Sequence, residues 1–220
     1  MGIIFSLLGL GNPRKRLVRS LRGKTFIIPD LESIFHHWPY AVNPEVDRLK
    51  KELNQRMEQY FSGNMLRKMQ QADAAVFGAS WWPYASYDTL YVAACLGLWL
   101  FAWDDETDSV EISTMLNDSQ RGAAFRQETK DFIRQFLVPD SDHSISKNPI
   151  ITNFEVVGVA IRDACTNSQR ETFFRELEYF IDMVDEEQKV LLSGRLPTVE
   201  EYQRRRMGSG AVGVCLAITE

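Results

Sequence analysis

The chain has 220 residues, of which 45% are hydrophobic and 25% are charged, and its formal net charge is −5 at pH 7. This size and composition predict one globular domain, and the acidic balance argues against nucleic acid as a partner, because nucleic-acid phosphates bind basic surfaces. Three well-separated cysteines, Cys95, Cys165 and Cys215, lie among apolar residues. They are typical of free buried thiols, so we expect a reducing, cytoplasmic location.

Residues 1–25 have the composition of a leader rather than of a packed element. An apolar run, Met1–Gly11, precedes a cluster of arginines and lysines. This order is the reverse of that in a secretory signal, and the run is too short to span a membrane. Gly2 with Ser6 matches the loose pattern for N-myristoylation. We predict a disordered leader without a transmembrane segment; a lipid anchor with weak membrane-surface contact is the alternative.

Helical periodicity begins after the leader. The dipeptide Asn43-Pro44 predicts a helix start, with Asn as the cap and Pro in the first turn, and apolar residues recur at helical spacing through Tyr60. A second helix is predicted over residues 64–77 and a loop over residues 78–83. The next predicted helix, residues 89–103, is apolar on every face, so we expect it at the centre of the fold.

The rest of the chain also has helical patterns. Two sequences match the capping box that begins a helix, Ser168-x-x-Glu171 and Thr198-x-x-Glu201. The last predicted helix is interrupted at Gly208-Ser209-Gly210 and resumes with an apolar run. No segment alternates with a period of two, so the predicted fold class is all-α. The further predicted helices cover residues 125–137, 153–165, 168–193 and 198–220.

Three aspartates crowd the end of the central predicted helix. Asp104, Asp105 and Asp108 form the pattern D-D-x-x-D, and two of them lie four positions apart on one helix face. Like charges in that relation repel by ~0.2–0.5 kcal/mol, and the C-terminal end of a helix disfavours anions. A divalent cation such as Mg²⁺ would account for the arrangement. A solvated acidic helix end is the alternative.

A second pattern combines a run of arginines with the helix break. Arg204, Arg205 and Arg206 precede Gly208-Ser209-Gly210, and backbone N–H groups at a new helix start, together with a guanidinium group, suit a phosphate. Successive helical residues point ~100° apart, so we expect only one arginine to face the site. A turn with solvated arginines is the alternative. Together, the two patterns indicate a diphosphate bound between them.

With these motifs the sequence resembles the class I terpene synthases, and most closely the fungal sesquiterpene cyclases. The resemblance rests on W-D-D-E-T-D at residues 103–108 and E-E-Y-Q-R-R-R-M-G-S-G at residues 200–210. The stretch I-P-D-L…F-H-H-W-P…V-N-P is also similar. The resemblance covers residues 26–220 and implies a terpene synthase domain, a helical bundle around an apolar cavity. It implies Mg²⁺-dependent ionisation and cyclisation of an acyclic prenyl diphosphate, farnesyl diphosphate, to a sesquiterpene.

The resemblance also implies roles for individual residues. Asp104 would be the main Mg²⁺ ligand, supported by Asp108 and Asp105, in a site that holds three ions in the complete family enzyme. Arg206 would sense the diphosphate. The remaining residues implied by the resemblance are Ser209 and Gly210, which couple diphosphate binding to ionisation, and Phe101 and Phe77, which line the pocket for the carbocation.

The sequence departs from the family in one respect. The second metal motif, N-D-x-x-S-x-x-x-E, has no match in the 220 residues. We therefore expect a cyclase domain that is incomplete at its C-terminus, with fewer metal ligands and one cavity wall missing. Two alternatives remain open. One is a prenyl-chain elongase, which would carry a second D-D-x-x-D; the other is an inactive fragment or pseudoenzyme that acts, if at all, as a binding module.

Overall fold

Helices account for all regular secondary structure in residues 13–219, the part of the chain that the computed structural model describes. The prediction of an all-α fold is confirmed. In chain order the helices are α1 (Pro13–Leu21), α2 (Leu31–Phe35), α3 (Val46–Tyr60), α4 (Gly63–Ala72), α5 (Ala74–Trp81), α6 (Tyr87–Asp108), α7 (Ser119–Leu137), α8 (Pro149–Thr152), α9 (Glu155–Ala164), α10 (Asn167–Ser193), α11 (Val199–Ser209) and α12 (Val212–Ala217).

Helix α6 is the centre of the bundle, as its uniformly apolar sequence predicts. It is surrounded by α4, α5, α8, α9 and α10, and most of its residues from Leu90 to Trp103 are buried. Trp103 stacks on Phe125 with ring centroids 5.6 Å apart, and its indole N–H donates to Thr129 Oγ1 at 3.0 Å. This packing fixes the C-terminal end of α6, which carries the three aspartates.

The segment predicted as one helix over residues 64–77 is two helices. Asp73 separates α4 from α5 and adopts the left-handed conformation, with φ 50°. Its carboxylate accepts a hydrogen bond from the Val76 N–H and lies 2.5 Å from Lys50 Nζ. Aspartate tolerates this conformation when its side chain can bind locally. Helix α5 then continues to Trp81, through most of the predicted loop.

Two predicted helix starts lie elsewhere in the structure. The side chain of Asn43 accepts from the Glu45 N–H at 3.1 Å and donates to the Ala85 carbonyl at 2.9 Å, so it holds a turn and α3 begins only at Val46. Helix α10 is capped by Thr166, whose capping-box partner is Gln169. The Thr198 box at the start of α11 is present as predicted.

Residues 13–21 of the predicted leader form helix α1, whose apolar side chains Leu17, Val18 and Leu21 are largely exposed. The segment that follows, up to residue 42, is also exposed and has several large apolar side chains. The predicted myristoylation site at Gly2 lies outside the described residues. None of the helices between residues 13 and 219 is long and apolar enough to cross a membrane.

Candidate active site

The three aspartates lie on the last two turns of α6. With Phe101 they occupy spacings of three, four and seven, so all four residues share one face of the helix. The tryptophans of α6 are buried in the core. Asp104 and Asp105 are partly buried, whereas Asp108 is exposed. The aspartate face therefore runs from a half-buried aromatic ring toward solvent.

Asp105 is paired within the chain. Its Oδ1 lies 2.5 Å from Nζ of Lys68 on α4, and the same ammonium group donates a hydrogen bond to Ser109 Oγ at 3.0 Å. Lys68 therefore ties α4 to the end of α6. Of the three predicted metal ligands, Asp105 is the one whose charge the chain itself neutralises.

Asp104 and Asp108 lie in surroundings that disfavour their negative charge. Burial, reinforced by the carboxylates of Asp108, Glu187 and Asp105, raises the pKa of Asp104 to about 7. The pKa of Asp108 is raised as well, first by partial desolvation of its carboxyl group, although the residue as a whole is exposed, and then by Asp105 and Glu187. Within residues 13–219 neither carboxylate belongs to an ion pair. The end of α6 is thus a cluster of carboxyl groups that disfavour one another's negative charge.

Glu187 is a member of this site that sequence reasoning missed. It lies on α10, raises the pKa values of both Asp104 and Asp108, and accepts a hydrogen bond from Ser209 Oγ at 2.6 Å. In the sequence it belongs to the acidic run Asp185–Glu187, which is typical of a solvated helix face. No local signal distinguishes it, because its hydrogen-bond partner is 22 positions away.

The predicted interruption of the last helix is present. Helix α11 ends at Ser209, Gly210 caps it, and Ala211 adopts the left-handed conformation with φ 54° before α12 begins. Ser209 is buried against Glu187, so the break is fastened to α10. Helix α12 has only six residues and hence a weak dipole. The arginines that precede the break are better placed to contact an anion.

Two of the three successive arginines line the same cleft. Arg206 lines the cleft beside Asp108 and is near enough to Asp104 and Asp108 to lower their pKa values. Arg205 lines the cleft beside it and is only 5% exposed. Arg204 is exposed and is not part of the lining. Two neighbouring helical positions thus reach the cleft, and the assignment of Arg206 to the diphosphate stays a prediction.

The cleft has a volume of about 630 Å³ and lies between α1, α10, α11 and the loop after α6. Asp108, Glu187 and the two arginines are its charged residues. Much of the remaining lining is apolar, and α1 contributes to it, so this part of the predicted leader borders the site. The apolar lining residues include Leu17, Val18, Val110, Val184, Leu191 and Leu196.

The two predicted pocket aromatics contact each other. The rings of Phe77 and Phe101 meet edge to face, with centroids 5.2 Å apart, and Phe77 also contacts Trp81 and Trp82. Both phenylalanines are half-buried. They lie beside the aspartate face rather than in the cleft lining. Their role toward a carbocation stays a prediction.

The donor set fits magnesium better than a metal held by protein alone. Within residues 13–219, no three histidine, cysteine, aspartate or glutamate side chains come together as a metal cage. Mg²⁺ commonly takes one or two carboxylates and fills its other positions with water and substrate phosphates. Asp104 and Asp108, carboxylates without a cationic partner in the described chain, meet that requirement.

The comparisons with known proteins identify the family of the chain. A family model described as terpene synthase family 2, C-terminal metal binding, matches residues 95–220. The chain belongs to this terpene synthase family. The match includes both the aspartate motif and the interrupted helix, and it supports metal binding in this region.

Individual relatives show the same family and fold. Sesquiterpene cyclase hepA from Aspergillus oryzae is 33% identical over 95% of this chain and 58% of its own length. Terpene cyclase braA from Annulohypoxylon truncatum is 25% identical over 94% of this chain and 56% of its own. The linalool/nerolidol synthase from Streptomyces clavuligerus, solved with 2-fluorogeranyl diphosphate, has a TM-score of 0.67 at 16% identity and covers 90% of this chain and 59% of its own. The predicted class I terpenoid synthase fold is confirmed, and the chain spans somewhat more than half the length of these proteins.

Proposed function

We propose that this chain serves the Mg²⁺-dependent ionisation and cyclisation of an acyclic prenyl diphosphate, farnesyl diphosphate, to a sesquiterpene with release of diphosphate. The observation that carries the proposal is that Asp108, which has no ion pair among residues 13–219, lines one cleft with Arg206. Two comparisons support the substrate class: one relative is named a sesquiterpene cyclase, and one fold neighbour was solved with a prenyl diphosphate analogue. The chain's family membership supports the reaction type.

In this proposal Asp104 and Asp108 hold magnesium. Bound there, the metal would supply positive charge to the leaving diphosphate. Asp105 acts differently, because its pair with Lys68 fixes the end of α6 against α4. Arg206 binds the diphosphate from the side of α11 with a forked donor. Its effect on the pKa values of Asp104 and Asp108 supports an arrangement in which the proposed anion-binding group lies near the proposed metal ligands.

The Ser209–Glu187 hydrogen bond gives the helix break its role in the proposal. Ser209 and Gly210 follow Arg206 by three and four positions. Because Ser209 is held by Glu187 on α10, a shift of α11 on diphosphate binding would be transmitted to the residue that also acts on the aspartates. The half-buried rings of Phe77 and Phe101 would face the hydrocarbon, exclude water and stabilise positive charge.

The test starts with binding and continues to turnover. The chain is titrated with inorganic pyrophosphate with and without MgCl₂, and is then incubated with farnesyl diphosphate while hydrocarbons are measured by gas chromatography–mass spectrometry. We expect Mg²⁺-dependent binding and product, both strongly reduced in Asp104→Asn and unchanged in Asp131→Asn, an exposed aspartate of α7.

Other outcomes would favour the alternatives. Mg²⁺-dependent pyrophosphate binding without any product would favour a binding module. A longer prenyl diphosphate formed when isopentenyl diphosphate is added would favour an elongase. Undiminished Mg²⁺-dependent turnover by Asp104→Asn would contradict the assignment of the metal site.

A further inference from the structure

Arg205 is a buried cation that has no ion pair among residues 13–219. It is 5% exposed, its Nε is buried with no hydrogen-bond partner, and its guanidinium forms no ion pair within residues 13–219. Arg126 on α7 is equally buried, but its Nη2 donates to Asp185 and, at 3.0 Å, to Gln188. Burying a charge without such compensation is unfavourable, so the position of Arg205 needs another explanation.

Glu201, one turn earlier on α11, is near enough for Arg205 to lower its pKa, but the two side chains form no ion pair. Its Oε2 lies 2.7 Å from Nη1 of Arg195 and accepts the Thr198 N–H at 2.9 Å as part of the capping box. The carboxylate is therefore committed to the start of the helix. Arg205 instead lines the cleft that also contains Asp108 and Arg206.

We propose that Arg205 is a second diphosphate-binding residue, which acts together with Arg206. This inference rests on the proposed function, because it assigns a further contact to the same substrate. A diphosphate has two phosphoryl groups, and two guanidinium groups from adjacent positions can each offer a forked pair of N–H donors. Arg206 lies toward the aspartates, whereas Arg205 is the more deeply buried of the two. The diphosphate supplies the ion-pair partner that Arg205 lacks among residues 13–219.

The experiment compares three single substitutions by isothermal titration with inorganic pyrophosphate in MgCl₂. Methionine replaces arginine because it keeps an unbranched apolar stem without the charge. We expect Arg205→Met to weaken pyrophosphate binding at least tenfold and Arg206→Met to weaken it at least as much. Arg204→Met is the matched control, since Arg204 is exposed outside the cleft, and its affinity should stay within twofold of that of the unchanged chain.

Thermal unfolding without pyrophosphate separates binding from a structural role. Removing an uncompensated buried charge should leave the unfolding temperature of Arg205→Met unchanged or higher. A lower unfolding temperature with unchanged affinity would assign Arg205 to packing and overturn the inference. Should Arg205→Met not fold, Arg205→Lys decides: lysine keeps the charge but loses the forked geometry, so we expect severalfold weaker binding, and an affinity equal to that of the unchanged chain would overturn the inference.

The inference and the proposed function can fail separately. If Arg206→Met loses binding while Arg205→Met does not, only the inference is wrong. If the unchanged chain does not bind pyrophosphate with Mg²⁺, the proposed function is contradicted and the inference falls with it.

Discussion

Replacing Asp104 by asparagine should stabilise the metal-free chain while it removes metal binding. The pKa of Asp104 is raised to about 7, first by burial and then by Asp108 and Glu187, against ~3.9 for an ordinary aspartate. A tenfold change in proton affinity corresponds to ~1.4 kcal/mol, so keeping Asp104 ionised in the folded chain costs at most roughly 4 kcal/mol. We expect Asp104→Asn to raise the free energy of unfolding by less, ~1–2 kcal/mol, because solvent screens this partly buried group and because the asparagine amide must itself be buried.

The effect should depend on pH in a definite direction. Because folding raises the pKa of Asp104, protonation of this carboxyl group stabilises the folded chain. The stabilisation is fully present below pH ~4 and is lost as the pH rises to about 7. The advantage of Asp104→Asn should therefore be largest at pH 8 and decline toward pH 5. Thermal unfolding in EDTA measures it, with an expected rise of roughly 2–8 °C at pH 8.

A matched control isolates the burial of Asp104. Asp131→Asn removes the same charge from an exposed position on α7, so its unfolding temperature should follow that of the unchanged chain at both pH values. If Asp104→Asn unfolds at a lower temperature than the unchanged chain at pH 8, or if its advantage does not decline with pH, the reasoning from an uncompensated carboxylate is refuted.

Three further predictions concern the break and the metal. Ser209→Ala removes the 2.6 Å hydrogen bond to Glu187 and should lower the free energy of unfolding, measured in urea titrations, by ~1–3 kcal/mol. Glu187→Gln keeps a hydrogen-bond acceptor, so its free energy of unfolding should fall by less. Gly208→Ala places a Cβ against the Met183 side chain close to its backbone and should cost ~1–3 kcal/mol by the same measurement; an unchanged midpoint would contradict the packing of α11 on α10. Removing Mg²⁺ with EDTA should abolish the rise in unfolding temperature caused by pyrophosphate, which corresponds to ~2.7 kcal/mol at a concentration of 100 times Kd; a rise that persists would show binding to the arginines alone.

The features of the fold that follow from local sequence could be predicted. The central position of α6 follows from apolar residues on every face, and the Thr198 capping box is visible as a four-residue pattern. The break at Asp73 could not be predicted in this way, because the sequence around it contains no glycine or proline. Its left-handed backbone is accompanied by the ion pair with Lys50, which lies 23 positions away.

The same distinction holds for the site. The aspartate motif and the arginine run are contiguous patterns, so they were visible in the sequence with their spacing. Glu187 and Lys68 enter the site only through tertiary contacts, and their partners are 22 and 37 positions away. Which of the aspartates is ion-paired also depends on Lys68. This lysine pairs with Asp105, and Asp104 has no ion pair among the described residues.

The cleft and the end of α6 beside it carry charges of both signs that form no ion pair with one another among residues 13–219. Asp104 on α6 and Arg205 in the cleft lining have no ion pair in that part of the chain, although each is at least partly buried. The folded chain is stabilised by other contacts, chiefly those of the tryptophan-rich core around α6. Local violations of good packing and pairing are expected where a site must accept a ligand. A divalent cation with a diphosphate carries charges that complement these groups: the cation would lie toward the carboxylates and the diphosphate toward the guanidinium groups. The two groups whose burial is unfavourable in the free chain would then be the two groups that bind the ligand.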